Sequence, residues 1–442
     1  MLHHRHNSTS VSTPVAAQAS RPRWLWITFF GCVVVFLGAY YFWYTSARLL
    51  SEPIRLTYGP TEAEFHNALG PLTGADLVAG NRIKSMVNGD EFFPPMLQAI
   101  REAQRSVTLE TYIWSSGKIS DRFIAALSER ARAGVKVHAL LDGLGGVGLG
   151  RSDRERLTAA GVQLVIYGRE HWWQVKPNIN HRTHRKLLII DGRIGFMGGM
   201  CIDDRWLGDA GAKDLWRETM VEVEGPVVRQ MQAVFAENWQ QTTSSLLLGE
   251  EYFPPLPKAG TSLAHCYKSG PTEGPETARV GYLFAIAAAR KSIELSHAYF
   301  VPDNLAIDLL LEAIARGVRL RIIVPAINDS AFGRSASRSR WGKLLAAGAE
   351  FHLFQPAMYH CKAMVVDRVL VTVGSANFDN RSFTINDEVT LTVLDPAVAA
   401  DHLRIFDDDL KKSIPLTPEE FAARPTYIKI IDHFAGLFRS QF

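Results

Sequence analysis

Two stretches of this chain place a histidine, a lysine and an aspartate at the same spacing. HRKLLIIDGRIGFMGG carries His184, Lys186 and Asp191, and HCKAMVVDRVLVTVGSAN carries His360, Lys362 and Asp367, so both read H-x-K-x-x-x-x-D. In an extended strand alternate side chains share a face, so each stretch presents one imidazole beside one ammonium, with Arg185 and Cys361 pointing away. Two such pairs brought around one oxyanion suit a phosphodiester: one imidazole attacks phosphorus and the other protonates the leaving oxygen. A covalent phosphoryl-histidine divides the displacement into two steps, and the second imidazole then serves as base for an incoming alcohol or water. The chemistry requires no metal and no cofactor. A single His-x-Lys on a strand is ordinarily a surface accident, and it is the second copy that turns the pattern into a functional signal.

The elements around these stretches are duplicated as well. AIREAQRSVTLE (99–110) reappears as AIAAARKSIELS (285–296), ARAGVKV (131–137) as IARGVRL (314–320), and LTAAGVQLVIY (157–167) as LLAAGAEFHLF (344–354), in the same order. Short apolar β-branched runs alternate with Ala-rich helical stretches, which predicts an α/β protein of two similar lobes with mixed sheets flanked by helices. In each lobe a helix ends at a glycine, Gly134 or Gly317, and runs directly into a buried strand. The motif aspartates fall at the turn out of the strand that follows each His-x-Lys, most plainly at Asp191-Gly192, and read as scaffold rather than chemistry.

Two such motifs, one per lobe, resemble the phospholipase D superfamily. LETYIW, NHRTHRKLLIIDGRIGFMGG, AYFVPD, QPAMYHCKAMVVD and VGSANFDNRSFTINDEV resemble its bacterial cardiolipin synthase branch over roughly Val78 to Asp395. The resemblance implies that His184 is the nucleophile, His360 the general acid and base, and Lys186 and Lys362 the phosphate clamps. It further implies hydrogen bonds from Ser375 and Asn377, and acidic residues orienting the imidazoles, matched by Glu388 and by Glu218. The first lobe departs from the family pattern, with Gly199 where a Ser and Cys201 where an Asn commonly stand.

The expected organisation is a disordered tail (1–23), a transmembrane anchor (24–45), a linker (46–77), two lobes (78–250 and 251–412) and a C-terminal amphipathic segment (413–442). The run WLWITFFGCVVVFLGAYYFWY is uncharged, flanked by interfacial aromatics, and as a helix reaches about 30 Å, the thickness of a hydrocarbon core. Tyr427, Ile430, Ile431, Phe434, Leu437 and Phe438 recur at helical spacing and form a stripe that fits either a bilayer surface or the protein's own core. Arg334, Arg338, Arg340 and Lys343 make a basic stretch for lipid headgroups or solvent, and Trp172 and Trp173 sit in an insertion of the first lobe. The four cysteines show no metal or disulfide spacing, and 48 basic against 45 acidic residues give no sign of a nucleic-acid partner.

The resemblance thus points to a phosphatidyltransferase of the inner membrane that moves a phosphatidyl group onto phosphatidylglycerol, with phosphatidylglycerol or phosphatidylethanolamine as donor. The alternatives are a phospholipase D hydrolase using the same residues, a nuclease of the superfamily, or an inactive membrane scaffold. Arg5, Arg21 and Arg23 ahead of the anchor against Arg48 and Arg55 after it favour a catalytic unit on the outer face.

Overall fold

The computed structural model describes residues 23–44, 50–168, 180–271 and 276–438. Trp172, Trp173 and nearly all of the N-terminal tail lie outside the described residues. The chain divides into two units, Met1–Leu49 and Leu50–Phe442. The first contains one helix, Arg23–Tyr44. Its described side chains, Trp24 to Tyr40, are mainly exposed. Among the described residues no helix is long and apolar enough to cross a membrane, so the transmembrane expectation is met only as far as the helix itself.

The second unit is built on one fifteen-stranded sheet. The strands are β1 (Val78–Val87), β2 (Ser106–Thr111), β3 (Lys136–Asp142), β4 (Gln163–Tyr167), β5 (Leu187–Ile190), β6 (Ile194–Gly198), β7 (Thr219–Glu224), β8 (Ser262–Ser269), β9 (Ser292–His297), β10 (Arg319–Pro325), β11 (Glu350–Phe354), β12 (Lys362–Val366), β13 (Leu370–Gly374), β14 (Glu388–Leu394) and β15 (Ser413–Leu416). From the middle outward, one half runs β1-β7-β6-β5-β2-β3-β4 and the other β8-β14-β13-β12-β9-β10-β11, so each strand has its counterpart seven strands later. The equivalent strands β1 and β8 pair antiparallel at the junction. In both halves parallel and antiparallel neighbours mix: β2 is parallel to β3 and antiparallel to β5, as β9 is to β10 and β12.

Three cores hold this arrangement. Helices Asn88–Glu102 and Lys118–Arg132 cover the outer face of the first half, and Thr277–Ala288 and Asn304–Ala315 that of the second. The third core is common to both, with Leu187, Ile189 and Val221 meeting Val365, Val371 and Val389 under Phe235 of helix Val228–Thr243. Alternate residues of β5 enter different cores, Leu187 and Ile189 the shared one, Leu188 and Ile190 the outer one. Burial on both faces is why the stretch behind each His-x-Lys is continuously apolar. Gly134 and Gly317, at φ 89° and 88°, turn their helices into β3 and β10.

Two stretches differ from the sequence reading. The presumed linker carries a helix, Ala63–Thr73, whose Phe65 is fully buried and stacks 4.7 Å from Phe284. Arg290 also donates to the carbonyls of Leu56 and Tyr58, so residues 50–73 strap onto the second half. The presumed C-terminal amphipathic segment begins as β15, which pairs antiparallel along the outer edge of β11 and covers it.

The motif aspartates close the hairpins β5–β6 and β12–β13 with left-handed backbone, φ 53° at both Asp191 and Asp367, followed by Gly192 at 62° and Arg368 at 60°. Each carboxylate also gathers three successive backbone N–H groups. Asp191 accepts from Gln104 (2.9 Å), Arg105 (2.7 Å) and Ser106 (2.8 Å) at the start of β2. Asp367 accepts from Arg290 (2.8 Å), Lys291 (2.6 Å) and Ser292 (3.0 Å) at the start of β9. These are charge-assisted bonds that tie strand starts to hairpins. Asp191→Ala is therefore expected to destabilise the fold by about 3 kcal/mol, with Asp191→Asn milder because it keeps one acceptor and tolerates the left-handed backbone. Denaturant melts check this, and an alanine variant as stable as the parent would refute the clamp.

Candidate active site

The two halves meet at their motifs through backbone bonds that mirror each other. The His184 N–H donates to the Asp387 carbonyl at 2.9 Å, and the His360 N–H donates to the Arg217 carbonyl at 2.8 Å. Around these bonds, Thr183 bridges Asp387 and the short strand Met358–Tyr359 runs parallel to Trp216–Arg217. The residue after each carbonyl is a glutamate. His184 Nδ1 lies 2.9 and 3.0 Å from the two carboxylate oxygens of Glu388, and His360 Nδ1 lies 2.7 Å from Glu218 Oε2. Each imidazole is thus oriented by a carboxylate of the other half. An Nδ1–H donated to a carboxylate leaves the Nε2 lone pair free.

Both histidines line one crevice of about 270 Å³ together with Lys186, Asn377, Tyr112 and Trp216. The Lys186 ammonium donates to the His184 carbonyl at 2.6 Å and stands 5.4 Å over the Tyr112 ring. The Lys362 ammonium lies 3.1 and 3.2 Å from the two ring nitrogens of His360. The His360 ring packs 4.7 Å from Trp216 and 5.4 Å from Trp206.

Burial dominates the electrostatics. It lowers His184 to about 4 against the opposing pull of Glu388, and lowers Lys186 to about 8. His360 is held well below the ordinary imidazole range by burial and then by the cations Lys362 and Lys186. Glu218, sealed in the same place, is pushed up to about 7. The site therefore sets neutral imidazoles beside cationic lysines, an arrangement suited to an anion.

Ser375 and Asn377, expected to act together, part company. Asn377 lines the crevice, and its buried Oδ1 has no partner among the described residues. Ser375 is fully buried and its hydroxyl donates to Glu388 Oε2, so it holds the carboxylate that holds His184. At the corresponding place in the first half a Cβ on Gly199 would fall 2.3 Å from Glu218 Oε2. Glu218 occupies the room a serine needs there, and takes its hydrogen bond from the Thr219 N–H at 3.0 Å instead. Cys201 lines the crevice and accepts from the Ile113 N–H at 3.4 Å. Asp191 and Asp367 stand at the far ends of β5 and β12, on the hairpins. Arg182, Arg381, Tyr112 and Tyr299 also line the crevice and were not singled out by sequence. Only Arg182 left a signal, being two residues before His184 and so on its face.

The model described as "Cardiolipin synthase, PLD-like domain" matches residues 96–239 and 282–410. The chain is 33% identical over 359 residues to the probable cardiolipin synthase YwiE of Bacillus subtilis (strain 168), covering 81% of this chain and 72% of that one. It is 33% identical over 353 residues to cardiolipin synthase A of Pseudomonas aeruginosa, covering 80% and 72%. In fold it is similar to phosphatidylserine synthase of Haemophilus influenzae Rd KW20, with a TM-score of 0.62 at 12% identity over 85% of this chain and 97% of that one.

The charge states bound the working pH. The neutral imidazole of His184 is lost to protonation as pH falls through about 4, and the Lys186 charge is lost as pH rises through about 8. For a soluble phosphodiester, whose own charge is constant in this range, kcat/KM is expected to fall off on both sides of that window. Lys186→Arg, charged at any accessible pH, should move the alkaline limb upward. A limb that stays in place in this variant assigns the alkaline group elsewhere.

Proposed function

The chain belongs to the cardiolipin synthase family of phospholipase-D-like proteins and is a phosphatidyltransferase; we propose that it joins a phosphatidyl group to phosphatidylglycerol through a phosphohistidine on His184. The observation that carries this reading is the pair of imidazoles in one crevice, each with Nδ1 on a buried glutamate, the Nε2 of His184 free and that of His360 beside the Lys362 ammonium. In the first step His184 Nε2 forms a bond to phosphorus, the P–O bond to the donor's alcohol breaks, and His360 gives that oxygen its proton. In the second step the hydroxyl of phosphatidylglycerol forms the new P–O bond, His360 takes the hydroxyl proton, and the P–N bond breaks. Lys186 and Lys362 balance the charge on the non-bridging oxygens. The phosphodiester's negative charge offsets the cations that depress His360, so substrate binding favours its protonated form. Glu218, at about 7, shares that hydrogen bond and keeps a proton within reach of the pair at neutral pH. Asp191 and Asp367 serve the scaffold. The lobes are taken as 78–250 and 251–412. Phosphatidylglycerol or phosphatidylethanolamine is the donor.

The same reading makes the protein a single-pass protein of the bacterial inner membrane, anchored through residues 24–45 with the catalytic unit on the outer face. A second feature supports membrane contact. Helix Thr426–Leu437 turns Asp432 inward, buried and ion-paired with Arg338 at 2.7 Å and with Arg424, while Lys429 and His433 stay exposed. Its apolar stripe faces out, with Tyr427, Ile430, Phe434 and Leu437 each more than half exposed. That inversion suits a helix lying on lipid. Arg338 of the basic stretch is thereby occupied within the protein, while Arg334 stays exposed.

The full chain in phosphatidylglycerol bilayers, with and without phosphatidylethanolamine, is expected to make cardiolipin and to float with the vesicles. His184→Ala and His360→Ala should each abolish the product. Phosphatidic acid as the sole product would make the protein a hydrolase, and a chain that sediments free of lipid would remove the anchor. A reporter enzyme active only outside the cytoplasm, fused to the C-terminus, is expected to be active; an inactive fusion reverses the orientation.

A further inference from the structure

The row of side chains that lines the crevice does not end at His184. Arg182 lies two residues earlier and Lys186 two later, and all three line the same crevice, with alternate residues about 6.6 Å apart along an extended chain. Arg381 lines it too, donating to the Asn180 carbonyl at 3.2 Å and to Asn180 Oδ1 at 3.0 Å. Arg182 donates through Nη1 to the His181 carbonyl at 2.8 Å, and its buried Nε has no partner. Among the described residues neither guanidinium forms a salt bridge with a carboxylate. Asp142, close enough to feel Arg182, already accepts from the N–H groups of Leu144, Gly145 and Thr183.

The duplication supplies an internal control. The residue equivalent to Arg182 in the second half is Met358, which is buried. The residue equivalent to Arg381 in the first half is Arg205, and there the cation is spent: it pairs with Asp203 at 2.8 and 3.1 Å and lies 4.5 Å over the Trp216 ring. Asp379, the counterpart of Asp203, caps a helix through the Ser382 N–H at 2.8 Å and, though close enough to feel Arg381, forms no salt bridge with it. Around a nearly two-fold centre, one flank thus carries two guanidinium groups without a salt bridge, with Asp329 and Asp379 also lining the crevice, and the other a salt-bridged one beside Trp216 and Met358. A hydrolysis or a transfer to a neutral alcohol has a single phosphate to hold, and the lysines at the centre already serve it. Joining two lipids brings a second.

We propose that Arg182 and Arg381 form a second anion site in the crevice, which holds the phosphodiester of the acceptor phosphatidylglycerol while its glycerol hydroxyl reaches the phosphohistidine. The three-carbon bridge between the two phosphates of the product is of the same order of length as the step from one alternate residue to the next. Bidentate guanidinium donors fit this role, because they bind phosphate oxygens without having to give up a proton. This inference rests on the phosphatidyltransferase reading given above.

The test uses partition of the common intermediate. The full chain in mixed micelles of phosphatidylglycerol and detergent is offered 1-butanol as a neutral competing acceptor, and cardiolipin and phosphatidylbutanol are quantified together. Both products draw on the same phosphohistidine, so their ratio is insensitive to donor binding and to the amount of folded enzyme. Arg182→Met, which installs the residue of the other half, and Arg381→Met are each expected to lower the ratio about ten- to a hundredfold, the loss of a charge-assisted bond or two. Arg182→Lys should restore part of it. A ratio unchanged in both methionine variants overturns the second site. A parent enzyme that makes phosphatidylbutanol but no cardiolipin instead overturns the phosphatidyltransferase assignment to phosphatidylglycerol.

Discussion

The structure depends on two hydrogen bonds that cross between its halves, His184 to Glu388 and His360 to Glu218. Neither half contains a working imidazole of its own, because the carboxylate that fixes the ring's tautomer is always supplied by the other. The backbone bonds that precede them, His184 to Asp387 and His360 to Arg217, set the register of the crossing. The shared core beneath, in which β5 and β7 meet β12 to β14, keeps the halves from sliding. Burial then does the rest of the chemistry, lowering the basicity of the imidazoles and ammoniums while raising that of Glu218. A centre that is unfavourable for its own charges is favourable for a phosphodiester.

Symmetry in the frame is combined with asymmetry in the lining. Strand order repeats seven strands later, and both motif aspartates clamp three backbone N–H groups with the same left-handed φ. Yet Ser375 supports Glu388 where Gly199 merely makes room for Glu218. The two glutamates therefore reach the same position by different means, one through a hydroxyl and one through the backbone N–H of Thr219. The departure at Gly199 removes a prop of the carboxylate rather than a contact to substrate.

The fold was legible because its signals were repeated. Apolar runs buried on both faces, glycines at helix ends and Asp at the hairpins each occurred twice, and their agreement pointed to two similar halves, which the structure joins in one continuous sheet. The two His-x-Lys pairs were legible for the same reason, and the fold brings both histidines to one crevice. The crossing was not, because a sequence shows that a glutamate follows each motif without showing which imidazole it faces. The helix Ala63–Thr73 was missed since its apolar residues, Phe65 and Leu69, are few and acquire meaning only against Phe284. For Ser375 the sequence leaves open whether its hydroxyl serves substrate or a neighbouring side chain, and only the fold puts it on the buried Glu388 carboxylate. The outward turn of the stripe on Thr426–Leu437 follows from Asp432 finding two arginines, a tertiary fact.

The junction of the sheet has a further consequence. β1 and β8 are equivalent strands, and they pair antiparallel at the centre of the sheet. This is the contact that two copies of a single-lobe chain make when they join edge to edge about a dyad, an isologous interface in which each copy offers the same surface. Such a dimer would have been obliged to keep both linings identical, since one sequence would specify them both. A single chain carries no such obligation, and positions such as 182 and 358 differ while the crossed carboxylates hold the frame in common.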